Sequence, residues 1–362
     1  MKGNVVSLDI LRGLAVFLMI LFHVFMEWMN WAPRDYGFFR DIMVFFGFLA
    51  PPFFLIISGM AYYFFIKRKI NESVSKLNIF SKVIKRSLFI FVVPTVLQIG
   101  MEIIFNIELT NVIYWSIFQV IAFSMILFFS FLFIKPNLKR IFCFSLIILI
   151  FFLDFIISYH NYNDLSILDE GVFAFIPWAS FYILGLLFGD LISGWRQEHI
   201  NKKVIISIIA GLGGIIIFFI WVIIYPHSYY FTPSFTHFPP YFMLMIGIFI
   251  ILFSVCYYWI DIKGKVFYLQ NSVIHWSKLS FSIFYIHFGF IALGILVFPL
   301  IISESYFYGF SIYQFIILII LFFLSNEIFI RIWKRYNYFL GLEWSMNKIS
   351  KKNLFLKKFH KG

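Results

Sequence analysis

Ten runs of apolar residues divide the chain, at about 9–30, 42–66, 84–105, 112–134, 139–158, 172–193, 203–225, 239–260, 277–302 and 311–333. A hydrocarbon core about 30 Å thick takes about 20 helical residues to cross, and each run is of that order. In lipid the backbone must satisfy its own hydrogen bonds, so runs of this length predict helices. The pattern therefore predicts an all-α fold, a polytopic membrane helix bundle of about 10 transmembrane helices. Residues 1–340 read as a single transmembrane domain. Residues 341–362 mix Lys with Phe, Leu and Trp and read as a basic amphipathic tail on the inner leaflet. The first run has Asp9 and Arg12 at its mouth and no peptidase pattern after it, so it is expected to be a retained helix rather than a cleaved signal.

The loops between the runs alternate in charge. The N-terminus with Arg12, Lys67 to Arg86, Lys135 to Arg140, Arg196 to Lys203, Lys263 to Lys278 and the tail from Arg331 together hold 27 of the 29 Lys and Arg. Basic residues gather in cytoplasmic loops, so the bias predicts an N-in/C-in topology and an even number of spans. The loops on the other side are acidic or aromatic. Tyr159 to Gly171 carries Asp164, Asp169 and Glu170, and Tyr225 to Pro240 carries His227, His237, Tyr229, Tyr230 and Phe231. An interface belt accounts for these rings, and so does the mouth of a site for a polar acceptor.

Composition agrees with a lipid-embedded chain. Hydrophobic types make up 62% of the 362 residues, charged types only 13%, and the mean hydropathy is +0.93. A soluble domain carries nearly twice that charge. The formal net charge of +12 would suggest nucleic acid as the partner of a soluble protein. Here cytoplasmic loops against anionic headgroups explain it, so membrane lipids and no nucleic acid are expected. Cys143 and Cys256 sit in apolar segments with no CxxC and no Cys/His cluster, which predicts no metal site. No GxSxG, HExxH or Walker pattern is present.

Ionisable groups within hydrocarbon cost about 2.5–3.5 kcal/mol each on insertion scales and mark functional positions by default. The first helix carries Asp9, Arg12, His23 and Glu27. Arg12 and His23 are eleven positions apart, which places them about 20° apart around a helix and roughly 16 Å apart along it. Asp9 is placed to pair with Arg12, and Glu27 lies one turn beyond His23 on the same face. A cation at the inner mouth can hold phosphate. A neutral imidazole deep in the protein can act as general base, and a carboxylate one turn away can orient it. Taken singly, Arg12 is explained by a positive-inside anchor and His23 by a buried, hydrogen-bonded histidine; the shared face favours chemistry. Lys85 and Arg86 at the mouth of the third helix are further cations able to hold phosphate. His287, in SFSIFYIHFG with Ser280 at its start, forms a second polar position; it reads equally as a partner of the first helix and as a packing histidine. Glu327 and Arg331, four residues apart, read as a structural ion pair.

SLDILRGLAVFLMILFH resembles the opening of transmembrane acyltransferases, and Arg12 and His23 reproduce the Arg-x10-His spacing of the bacterial membrane O-acyltransferases. The whole chain is more similar to the heparan-alpha-glucosaminide N-acetyltransferase catalytic-domain group and its prokaryotic relatives. APPFFLIISGMAYYF, VIYWSIFQVIAFSMIL, FIPWASFYILGLLFGDL, FTHFPPYFMLMIGIFI and SKLSFSIFYIHFG follow in the family's order, and LGLEWSMNKIS resembles a Gly-Pro-Leu-Glu-Trp element of a sister group. The resemblance implies a multi-pass protein of a prokaryotic cytoplasmic membrane that modifies glycans. It implies acetyl-CoA or another acyl-CoA as co-substrate, held from the cytoplasm, and a sugar or glycolipid hydroxyl or amine as acceptor on the opposite side. His23 carries over as the catalytic histidine, and Arg12 as its partner near the donor. Val24 to Pro52 contains no histidine, whereas the family's lysosomal enzyme uses one in the loop after its first helix. A transporter or flippase of an amphipathic or anionic solute is the rival reading of the polar residues. A homodimer is left open.

Overall fold

A computed structural model describes residues 5–28, 37–104, 115–160, 173–195, 199–225, 238–301 and 312–351. Among these residues there is no β-strand. The helices in chain order are α1 (Val6–Trp28), α2 (Gly37–Asn71), α3 (Lys76–Ile104), α4 (Ile117–Leu127) with a 3-10 turn at Ser130–Phe133, α5 (Pro136–His160) and α6 (Phe175–Ser193). They continue with α7 (Ile200–Ile224), α8 (Phe238–Cys256) with a π turn at Tyr257–Ile262, α9 (Gln270–Lys278), α10 (Ser280–Ile301), α11 (Ile312–Arg335) and α12 (Leu342–Lys351). The ten apolar runs follow these helices in order, with the run at 112–134 reaching past both ends of α4 and the run at 277–302 covering the end of α9 as well as α10.

Among the described residues, seven helices are long and apolar enough to cross a membrane: α1, α2, α3, α6, α7, α8 with its π turn, and α11. The pair α9 and α10 makes an eighth if taken as one span, bent by 92° at its break. The protein is thus an integral, multi-pass, all-α membrane protein. The run at 277–302 hid that break, because Lys278 and Ser280 on either side of Leu279 sit at the start of an otherwise apolar stretch and give no sign of a change of direction. The aromatic and acidic loop residues at 161–172 and 226–237 lie outside the described residues, as do Arg34 and the tail beyond 351.

The chain forms two compact units. One comprises residues 52–258, which hold the rest of α2, then α3 to α8. Within it α6 is buried along almost its whole length, whereas α7 buries only Ile200, Val204, Gly211 and Phe218. A helix apolar on all sides and buried on one is a lipid-facing helix. The polar centre of this unit is Asp190 on α6, 5% exposed. It accepts hydrogen bonds from the Tyr63 hydroxyl at 3.1 Å and Arg140 Nε at 2.9 Å, with Lys139 Nζ at 3.7 Å. A buried carboxylate requires such partners, and these tie α2, α5 and α6 together.

The other unit joins residues 5–51 to 259–351. It is built on α1, against which α9 and α10 pack. Phe25 of α1, Phe39 of α2 and Phe315 of α11 meet edge to face, with centroids 5.6–5.9 Å apart. That geometry suits the ring quadrupoles. Glu327 of α11 accepts from Ser272 Oγ at 2.9 Å and Trp276 Nε1 at 2.8 Å on α9, and from Arg331 Nε at 2.8 Å. The structural ion pair expected there is therefore also a latch between α9 and α11.

Candidate active site

The polar residues of the first helix belong to the second unit, and carboxylates from distant segments hold the helices that carry them. The first N–H groups of a helix have no partner within it. At α1 they find Asp261, whose carboxylate accepts from the Val6 N–H at 2.7 Å and the Ser7 N–H at 3.0 Å. At α10 they find Glu343 of α12. Its Oε1 accepts from the Phe281 N–H at 2.7 Å and the Ser282 N–H at 3.1 Å, and its other oxygen accepts from the Ser282 hydroxyl. Negative charge at a helix N-terminus is also favoured by the helix dipole. Burial nonetheless pushes the Glu343 carboxyl above its ordinary range, with the Ser282 and backbone donors pulling the other way.

Asp9 and Arg12 pair at 3.8 Å near the start of α1, and Asp9 also accepts from the Ser277 hydroxyl at 3.3 Å. Helix α9 lies close against this stretch. A Cβ added at Gly13 would stand 2.3 Å from the Val273 carbonyl oxygen, so only glycine fits there.

Further along α1, His23 meets His287 of α10. His23 Nδ1 stands 2.9 Å from His287 Nε2, and the rings are nearly parallel, at 12°. His287 is fully buried, and its Nδ1 lies 3.0 Å from the Ile283 carbonyl oxygen one turn back. A carbonyl only accepts, so His287 Nδ1 carries a hydrogen and donates it. In a neutral imidazole the other nitrogen is then an acceptor, and His287 Nε2 receives the hydrogen of His23 Nδ1. A neutral His23 is left with a bare Nε2. The backbone of α10 thus selects the tautomer of His23 through His287. Phe22, Phe284 and Phe288 surround the pair, with Phe288 centroids 4.9 Å from His23 and 4.2 Å from His287.

The other expected residues fall elsewhere. Glu27 is exposed and makes no hydrogen bond to His23 among the described residues; His287 occupies the position expected of it. Ser280 opens α10 two turns before His287, and the hydroxyl that makes contacts there is that of Ser282. Lys85 and Arg86 lie on α3, in the unit of residues 52–258, with Arg86 over the Phe65 ring at 5.4 Å. Asp261 and Glu343 escaped sequence reading because a trans cap has no spacing signature. The Glu-Trp of LGLEWSMNKIS was the only local hint. Among the described residues, no cluster of three His, Cys, Asp or Glu could hold a metal.

Over residues 5–223, more than half of its length, the chain matches the family described as heparan-alpha-glucosaminide N-acetyltransferase, catalytic. The match includes Asp9, Arg12, His23 and Glu27 and stops before Asp261, His287 and Glu343. A search of curated proteins found no match. On the family match and its membrane-length helices, the chain belongs to the heparan-alpha-glucosaminide N-acetyltransferase catalytic family of membrane acetyltransferases.

Proposed function

We propose that the protein transfers an acetyl or other short acyl group from cytoplasmic acyl-CoA to a hydroxyl or amine of an extracytoplasmic sugar or glycolipid, with His23 as general base. The observation that carries this reading is the chain from the Ile283 carbonyl through His287 to His23, because it supports a bare nitrogen on His23. Such a nitrogen, His23 Nε2, takes the proton of the acceptor as the acceptor oxygen or nitrogen attacks the thioester carbonyl. The carbon–sulfur bond breaks, and the CoA sulfur leaves with the proton that His23 returns. The imidazolium formed in between keeps its Nδ1–H bond to His287, now a charge-assisted and stronger one. A neutral His287 can receive that bond without adding a second charge to an apolar surrounding.

Arg12, held by Asp9, is placed to meet the phosphates of the donor, and its separation from His23 along α1, roughly 16 Å, suits an extended pantetheine arm. Lys85 and Arg86 are proposed as further donor-binding cations. Glu27 is proposed at the acceptor end of α1 rather than behind His23. The family description names a glucosaminide, so amino sugars are the first acceptors to try.

The test uses purified protein, radiolabelled acetyl-CoA and an amino-sugar panel. Wild type should label an acceptor and release CoA. His23→Ala should lose at least about a hundredfold in transfer, the span of general-base catalysis, with donor binding retained. Normal transfer by that variant overturns the assignment of the base. Solute movement by the wild type without CoA release would favour transport instead.

A further inference from the structure

A cavity lies wholly within the unit of residues 52–258 and contains none of the residues proposed for transfer. It measures about 520 Å³ and opens between α7 and the ends of α6 and α8. Its outer wall is lipid-facing: Ile206 is 54% exposed, and Ala210 and Leu191 are exposed as well. Its inner wall is Phe188, Phe249 and Phe253. Beyond Ala210, α7 and α8 close on one another. A Cβ at Gly211 would stand 2.8 Å from the Gly247 carbonyl oxygen, so the cavity has a floor. Lys203 to Ala210 on its wall is seven residues, or about 10 Å of depth.

The mouth is cationic and built. Arg140 and Lys203 line it. Arg140 is oriented by its Nε bond to the buried Asp190, and among the described residues its other guanidinium nitrogens make no hydrogen bond. Lys203 Nζ has only a long contact, 3.5 Å, to the Gly194 carbonyl oxygen. Lys139, Arg140 and Lys203 against the single charge of Asp190 leave two positive charges in excess. Inside, the Ser254 hydroxyl is 1% exposed and has no hydrogen-bond partner among the described residues. A buried hydroxyl without a partner points to a polar group that the cavity receives. Trp195, also on the lining, sits against Tyr257 at 5.6 Å, the kind of aromatic pair found at headgroup level. The Lys and Arg bias assigns this end of the unit to the cytoplasmic leaflet, where anionic lipids concentrate.

We infer that this cavity binds one anionic glycerophospholipid, its phosphate between Arg140 and Lys203, its glycerol ester region near Ser254, and an acyl chain along the lipid-facing wall toward Ala210. A wholly apolar ligand would leave the cations and the hydroxyl unmatched. A free phosphate would leave the phenylalanine wall wet.

The inference is tested with purified protein in a neutral detergent, by native mass spectrometry and thermal unfolding. The probes are phosphatidylglycerol, phosphatidylcholine, inorganic phosphate and coenzyme A. Phosphatidylglycerol should bind one per chain and raise the unfolding temperature, with phosphatidylcholine and inorganic phosphate doing neither. Lys203→Gln should weaken phosphatidylglycerol about fivefold, the effect of one basic residue at a lipid surface. Ala210→Phe, a change at an exposed position, should fill the groove and abolish the tight site with lipid-free stability unchanged. Equal stabilisation of wild type and both variants by phosphatidylglycerol overturns the proposal. So does displacement of phosphatidylglycerol by coenzyme A in wild type, which would make the cavity a donor site.

Discussion

At the scale of single residues, the arrangement around His23 separates two jobs that one histidine cannot do alone. In the proposed mechanism His23 faces the acceptor with Nε2, while His287, 2.9 Å from its Nδ1, holds the hydrogen there in place. Replacing His287 by Phe removes the acceptor and leaves His23 free to take the wrong tautomer. In a Ser-His-Asp triad, loss of the group that orients the histidine costs about 10⁴ in kcat. His287→Phe is accordingly expected to lower kcat by about two to four orders of magnitude with little change in donor KM. His287→Asn, which can present a carbonyl oxygen to His23 Nδ1, should recover part of it. A histidine that only fills space would instead lower thermal stability and leave kcat intact. His23 could be singled out from the sequence, since an imidazole within an apolar run has few cheap explanations. Its partner could not be chosen. Glu27 and His287 were both in reach on sequence grounds, and only the packing of α10 against α1 decides between them.

At the scale of elements, two helices depend on carboxylates supplied by others. Glu343 is half-buried where it caps α10, and the loss of solvent raises its carboxyl above the ordinary range near 4.3. A raised folded-state value means that the stabilising share is present below the ordinary range and is lost as pH rises through the folded-state value. Thermal stability should therefore decline as pH is raised from about 4 toward neutrality. Glu343→Gln, which keeps an acceptor for the two N–H groups and carries no charge, should flatten that part of the profile in a differential scanning experiment. Gly13 supplies a second element-scale test. Gly13→Val would drive methyl groups into the Val273 backbone, which cannot move without shifting α9. A loss of about 1–3 kcal/mol is the usual cost of such overpacking. That the chain crosses a membrane several times as helices was legible because length in lipid is set by membrane thickness, although the ten runs outnumber the seven or eight membrane-length spans among the described residues. The break at Leu279, between Lys278 and Ser280, was not, since hydropathy is blind to a change of direction.

On the scale of the whole molecule, the charge bias makes a claim that labelling can test. Ser75 lies in the exposed turn between α2 and α3, among the basic residues assigned to the cytoplasm. A Ser75→Cys protein in intact cells should resist a membrane-impermeant maleimide and react after permeabilisation. Labelling from outside would invert the map, and with it the side from which the donor is expected to enter. The family match shows how far a sequence can carry. Residues 5–223 are recognisable by pattern. The segments that complete the histidine pair and cap its helices lie beyond them.

That division has a consequence for the order of events in biosynthesis. The unit that holds His23 is made of residues 5–51 and 259–351, so α1 is completed only by segments translated after the whole of residues 52–258. Until Asp261 has been translated, α1 has no carboxylate for the Val6 and Ser7 N–H groups. Until α10 and α12 have followed, His23 lacks its hydrogen acceptor and α10 lacks its cap. The nascent chain thus carries an incomplete base through most of its elongation. A chain that stalls or is cut before Glu343 would sit in the membrane with every earlier helix in place and no competent site. On the proposed role of His23, translation through Glu343 is the step that completes its setting.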